Sequence, residues 1–190
     1  MAANGRSLKQ ILESGEFIVA PGVFEMISAR VADQMGFHAL YMTGYGATAS
    51  YLGLPDAGIA AYSEMVDCAG RIAQGAVTPL IADADTGYGG LLNVQRTIQG
   101  YEAAGVQGIQ IEDQVTPKKC GHTLGREVVP LEDMEKKIQV ACDARRSEDT
   151  LIIARTDSRT DLGLDEALRR GEAFAKAGAD VVFVESPETE

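Results

Sequence analysis

The sequence is poor in the residues that build covalent or soft-metal frameworks. Its 190 residues include three cysteines, Cys68, Cys120 and Cys142. An odd number at wide spacing suggests no disulfide framework, and such usage suits a reducing cytoplasm. With two histidines in the chain, Cys120-x-His122 has no second Cys/His pair to complete a zinc site. No run of about 18 apolar residues occurs, so no membrane span is expected. Met1 to Glu16 is polar and lacks the apolar centre of a signal peptide. Basic residues are scarce, 17 against 28 acidic ones, for a net charge of -11. No basic patch is visible, which argues against nucleic acid as a partner. An acidic protein binding an anionic substrate faces repulsion that a divalent cation relieves.

What is present points to one globular α/β domain spanning residues 1–190. Six nearly continuous apolar runs predict parallel strands covered on both faces: Phe17–Ala20, Ala39–Thr43, Pro79–Asp85, Gly108–Asp113, Leu151–Asp157 and Val181–Glu185. Between them, helices are predicted over Glu25–Met35, Asn93–Ala104 and Leu164–Ala177, each closing on a glycine. Three segments align without gaps: Gly36–Thr43, Gly105–Glu112 and Gly178–Glu185. Each reads as helix stop, turn, buried strand and a polar residue at the strand's C-terminal end. This is a repeating αβ unit. Polar residues close five different strands (Thr43, Asp83 and Asp85, Glu112 and Asp113, Arg155 and Asp157, Glu185). A barrel gathers side chains from many strand ends on one mouth, whereas an open sheet uses one crevice. The expected fold is therefore a (β/α)8 TIM-type barrel. At roughly 250 residues for eight units, this chain has room for about six, so a partial barrel is expected.

Asp83-Ala-Asp85-Thr-Gly-Tyr-Gly89 carries two carboxylates that point the same way at a strand end. With Asp56 and Glu112, four acids are expected to converge on one mouth, where a hard cation such as Mg²⁺ would relieve their repulsion. The plainer reading is helix-cap and turn duty. The stretch from Gln114 to Pro130 has little periodicity and is expected to be a lid or binding loop. It holds Lys118-Lys119-Cys120-Gly121-His122, whose cationic neighbours would favour a thiolate at Cys120. Cys68 and Cys142 fall in helical patterns as packing residues, and His38 lies at the opposite rim. Arg155 either holds a substrate carboxylate or pairs with an acid such as Glu185. Thr43-Gly44-Tyr45-Gly46 either offers backbone N–H groups to a carboxylate or is a plain turn.

Lys118-Lys-Cys-Gly-His122 resembles the signature of the isocitrate lyase family. Asp83–Gly89, Gly53-Leu-Pro-Asp56, Ile111-Glu-Asp113 and Ala154-Arg-Thr-Asp157 resemble motifs of the wider isocitrate lyase and phosphoenolpyruvate mutase superfamily. The five motifs occur in the family's order along nearly the whole chain. The resemblance implies a (β/α)8 barrel, Mg²⁺ (with Mn²⁺ as the alternative ion) and a homotetramer whose subunits exchange a C-terminal helix. It implies Asp83 and Asp85 as metal ligands, with Asp56 and Glu112 holding the metal's waters. Thr43, Gly44, Tyr45, Gly121, His122, Arg155 and Glu185 would meet the substrate, and Cys120 would be the acid/base on a mobile loop. The family often has Ser or Gly where Thr43 and Tyr45 stand, which implies a different substrate shape. Its seventh and eighth strands have no counterpart.

The short loop looks more like 2-methylisocitrate or 2,3-dimethylmalate lyases than the longer isocitrate lyases. The implied reaction is retro-aldol C–C cleavage of a small 2-hydroxy di- or tricarboxylate to a 2-oxo acid and a carboxylic acid. Cys120, Arg155 and His122 would be catalytic, and Tyr45 and Glu112 are the candidate bases. The alternatives are an oxaloacetate decarboxylase or phosphonomutase on the same scaffold, and a non-catalytic barrel fragment.

Overall fold

The computed structural model describes residues 5–188. In chain order it holds α1 (Leu8–Glu13), β1 (Gly22–Val23), α2 (Met26–Gln34), β2 (Leu40–Met42), α3 (Gly44–Leu52), α4 (Tyr62–Gly75), β3 (Leu80–Asp83), α5 (Leu91–Ala103), β4 (Gly108–Glu112), α6 (Leu131–Ala144), β5 (Leu151–Thr156), α7 (Arg159–Leu162), α8 (Leu164–Lys176) and β6 (Val181–Val184). The six strands form one sheet in the order β1-β2-β3-β4-β5-β6, and every pair is parallel. Strand order never reverses, so there is no topological switch point. This is the sequential winding of a barrel, not of a doubly wound sheet.

Strand alternation sorts the two faces. Leu40 and Met42, Leu80 and Ala82, Ile109 and Ile111, and Ile152 and Ala154 join one core. They pack there with Met65 and Ile72 of α4, Val94, Ile98 and Tyr101 of α5, Met134 and Ile138 of α6 and Phe174 of α8. Each such large side chain contributes about 1.5–3 kcal/mol by leaving water. The intervening residues, including Tyr41, Asp83, Gln110, Glu112, Arg155 and Phe183, face the other side. The register places Asp83 beside Gln110, Glu112 beside Arg155 and Arg155 beside Phe183. A polar inner surface is thereby assembled by period-two geometry alone.

The first strand is not Phe17–Ala20 but Gly22–Val23. Phe17 is 87% exposed and Val19 50%. Ile18 and Ala20 instead pack with Leu8, Ala39 and Leu151 near the strand starts. Pro21 has no N–H to offer a ladder, and pairing begins where Tyr41 N donates to Pro21 O. The other five strands lie within their predicted runs, and the three predicted helices form α2, α5 and α8. Among the described residues no helix is long and apolar enough to cross a membrane.

Candidate active site

The C-terminal end of β3 carries the first carboxylates. Asp83 Oδ1 accepts from Asp85 N at 2.9 Å, and its Oδ2 accepts from Gly44 N at 3.2 Å. Thr43 caps α3, so the segment after β2 begins a helix whose first N–H group points at Asp83. Such an N-terminus favours an anion. Gly44 is required by this approach: a Cβ there would lie 2.6 Å from Asp83 Oδ2. Beneath the turn, the buried Tyr101 hydroxyl donates to Asp83 O at 3.2 Å and meets Tyr88 at 2.8 Å. The chain then turns through the left-handed region at Asp85 (φ 49) and Gly87 (φ 86).

Asp85 and Asp56 meet at one cation. Lys118 Nζ lies 2.6 Å from Asp56 Oδ1 and 2.8 Å from Asp85 Oδ1, and the lysine is 4% exposed. Burial and the neighbouring Asp83 push the Asp85 carboxyl up to about 6, although Lys118 pulls the other way. Burial alone would lower the Lys118 ammonium, but Asp83, Asp85, Glu112 and Asp56 together hold it above the usual lysine range. Asp85 Oδ1 receives no aligned hydrogen bond despite the nearby ammonium, and Glu112 Oε2 receives none either.

A second ionic group sits at the ends of β4, β5 and β6. Arg155 donates to Asp157 through Nε at 3.0 Å and Nη2 at 2.8 Å. The same guanidinium is 3.5 Å from Glu112 Oε2 and 3.4 Å from Glu185 Oε2. Arg155 therefore pairs with acids, as one of the two sequence readings expected, while remaining at the edge of the cavity. Burial pushes Glu112 well above the ordinary carboxylate range, against the pull of Arg155. Behind this group, Asp113 accepts from Asp157 N at 2.9 Å, Thr156 Oγ1 at 2.8 Å and Arg170 at 3.0 Å. Asp113 thus supports β5 from the helix side.

The segment after β4 is a loop closed at its neck, where Gln114 bridges to Val128 and Val115 N donates to Glu127 O at 2.8 Å. The buried Gln114 amide grips the loop from inside: it accepts from Lys119 N and donates to Lys119 O, each at 3.0 Å. Gly121 closes against Arg155 and Glu185; a Cβ there would lie 2.7 Å from Glu185 Oε1. The loop and the strand tips enclose a cavity of about 310 Å³ lined by Tyr41, Thr43, Tyr45, Asp56, Asp83, Lys118, Cys120, Gly121, His122, Arg155, Phe183 and Glu185.

Nine of the twelve residues singled out from sequence line that cavity: Thr43, Tyr45, Asp56, Asp83, Cys120, Gly121, His122, Arg155 and Glu185. Gly44, Asp85 and Glu112 stand behind it. The four acids stand at this mouth, and among the described residues no group of three or more His, Cys, Asp or Glu side chains stands at metal-holding distances. Each carboxylate has turned to its nearest donor: Asp56 and Asp85 to Lys118, Asp83 to Gly44 and Asp85, and Glu112 to Gln114 and Arg155. The lysines also do not serve Cys120, because Lys118 is taken by the aspartates and Lys119 Nζ donates to Gly125 O. Sequence reasoning missed Lys118 as a site cation, Gln114 as the loop's grip, and Tyr41, Gln110 and Phe183 on the inner face. The last three were legible in principle from strand alternation through the polar tips.

The phosphoenolpyruvate phosphomutase family profile matches residues 8–190. The chain belongs to the phosphoenolpyruvate mutase and isocitrate lyase superfamily. It is 52% identical to the 2,3-dimethylmalate lyase of Eubacterium barkeri over 183 residues, which is 96% of this chain and 63% of that one. Among solved structures it is similar to oxaloacetate acetylhydrolase bound to the inhibitor 3,3-difluorooxalacetate (TM-score 0.93, 43% identity, 98% of this chain and 65% of that chain). A phosphonopyruvate hydrolase complex with oxalate and Mg²⁺ aligns with a TM-score of 0.89 at 36% identity, over 100% of this chain and 65% of that one. The chain thus spans less than two thirds of each of these relatives.

Proposed function

We propose that the site performs metal-assisted cleavage of a C–C bond in a small 2-hydroxy di- or tricarboxylate of the 2-methylisocitrate or 2,3-dimethylmalate type. The observation that carries this reading is the shared cavity: Cys120, Gly121 and His122 of the loop face the same 310 Å³ space as Arg155, Asp83, Thr43 and Glu185. A volume near 300 Å³ suits a small ligand. The 52% identity to a 2,3-dimethylmalate lyase supports the same substrate class.

The donors beside the cavity are those a hard divalent cation takes. Asp85 is held near 6 by burial and Asp83, and both Asp85 Oδ1 and Glu112 Oε2 lack aligned donors. Asp83 and Asp85 would hold Mg²⁺ or Mn²⁺, with Asp56 and Glu112 behind them toward its waters. Bound there, the ion would polarise the substrate's 2-hydroxyl and the adjacent carboxylate.

This chain's own groups do the rest. A base removes the hydroxyl proton. Tyr45 lines the cavity and Glu112 does not, so Tyr45 is the better placed of the two candidates. The C2–C3 bond then breaks, its electron pair stays on C3 as the enolate of the departing acid, and C2 becomes the carbonyl of a 2-oxo acid. Arg155 and His122 stabilise the developing negative charge as preorganised donors do. The Cys120 S–H gives its proton to C3; after product release the base passes the hydroxyl proton to solvent and the thiolate takes one back, so no net proton is consumed. The closed loop excludes water while the enolate exists. We read the assembly as a cytoplasmic homotetramer. The test is to offer 2,3-dimethylmalate, 2-methylisocitrate and oxaloacetate with Mg²⁺ and with EDTA. Release of a 2-oxo acid from a 2-hydroxy substrate, abolished by EDTA, supports the lyase. Turnover of oxaloacetate alone replaces it with a decarboxylase or hydrolase, and no turnover supports a non-catalytic fragment.

A further inference from the structure

We propose that Lys118 is a built-in counter-ion which a divalent cation must displace, so that metal loading releases the loop over the cavity. The inference rests on the metal reading given above. Lys118 belongs to the loop, yet its ammonium reaches into the barrel mouth and lies 2.6 Å from Asp56 Oδ1 and 2.8 Å from Asp85 Oδ1. Among the described residues no other cation pairs with either aspartate, because Arg155 is committed to Glu112, Asp157 and Glu185.

A hard cation on Asp83 and Asp85, with Asp56 behind it, would draw on carboxylates that Lys118 already pairs with. Two positive charges brought this close repel strongly in a site shielded from water. Binding the ion and seating Lys118 are therefore competing events, linked through common ligands.

The consequence falls on the loop. Within residues 115–125, Lys118 makes the described ion pairs to the barrel. The remaining ties are neutral: Val115 N to Glu127 O at the neck, the Thr86 and Thr116 hydroxyls at 3.0 Å, Gln114 to Lys119, and the Ser186 hydroxyl to Gly121 O at 3.4 Å. Expelling Lys118 leaves those weaker ties. The loop thus loosens when the cation arrives and closes again over an anionic substrate, which supplies Lys118 with a new partner. Metal first, substrate second becomes the favoured order.

The test uses Mn²⁺ as the probe. Its affinity is measured by paramagnetic titration of the protein and of Lys118→Met, with amide hydrogen exchange followed over residues 115–125. In the unaltered protein Mn²⁺ should speed exchange in this loop tenfold or more. Lys118→Met should bind Mn²⁺ at least tenfold more tightly, and its loop should exchange fast with or without the ion. Binding with unchanged or slowed loop exchange overturns the proposal and leaves the metal reading standing. Equal or weaker binding by Lys118→Met does the same. Absence of Mn²⁺ binding at millimolar concentration overturns both. If Lys118→Met does not fold, loop exchange in the unaltered protein decides.

Discussion

Replacing Arg155 with Met should destabilise the protein by more than any other single change at the site. Arg155 faces three carboxylates: Asp157 at 2.8 Å, Glu185 at 3.4 Å and Glu112 at 3.5 Å. Asp157 and Glu112 are each 1% exposed and Glu185 is 8% exposed, so water cannot replace the guanidinium. Removing one partner of a buried ion pair costs about 3–5 kcal/mol. The whole domain's stability is of order 5–15 kcal/mol, so the variant should remain folded but marginal. With a urea slope near 2–3 kcal/mol per molar for a chain of this size, the midpoint should fall by about 1–2.5 M. The sequence has no tryptophan, so far-UV circular dichroism is the appropriate signal. The gap should narrow as pH falls, because the stranded carboxylates take up protons. Adding Glu112→Gln should recover part of the loss, since burial already pushes that carboxyl toward its neutral form. A midpoint shift below about 0.3 M would refute the reasoning, because it would mean the three acids are solvated or paired elsewhere.

Three further outcomes are expected. Cys120→Ser should lower turnover of the cleaved substrate by about 10²–10⁴-fold, the usual contribution of a positioned acid, with Mn²⁺ affinity unchanged; normal turnover would remove Cys120 from the chemistry. Gly44→Ala forces a methyl to within 2.6 Å of Asp83 Oδ2 and should weaken Mn²⁺ binding at least tenfold, with unchanged affinity counting against Asp83 as a ligand. Glu25 caps α2 by accepting from Ser28 N and Ile27 N, each at 2.6 Å, which holds its carboxyl below the ordinary value of 4.5. Its stabilisation is therefore present above pH 4.5 and lost as pH falls through the lowered value. Glu25→Gln keeps an amide oxygen to accept and loses only the charge, so it should cost about 0.3–1 kcal/mol at neutral pH and progressively less in acid. A difference that does not vary with pH would show that the charge is irrelevant to the cap.

Strand interiors such as Gly108–Glu112 were legible because apolar runs bounded by glycine leave few alternatives. The acids at strand tips were legible because a repeated αβ unit puts equivalent positions on the same rim. The first strand was not, since Phe17–Ala20 is as apolar as a strand while its side chains pack beneath the sheet or face solvent. Nothing local distinguishes those two fates. Lys118 was misread for a related reason: a lysine in a loop is ordinarily solvated, and only the folded chain shows it reaching Asp56 and Asp85. The partners that the four acids take were likewise not legible. Donors supplied by distant segments, Gly44 from α3 and Gln114 from the loop, divide those acids among several partners.

The account depends on Asp56, Asp83 and Asp85 forming the cradle of a hard cation. Anomalous diffraction from crystals grown with Mn²⁺ tests this directly. One peak per chain beside Asp83 and Asp85, with Lys118 turned away from the aspartates, is the expected result. A peak elsewhere, or an ammonium still seated between Asp56 and Asp85 with no peak at saturating Mn²⁺, would contradict it.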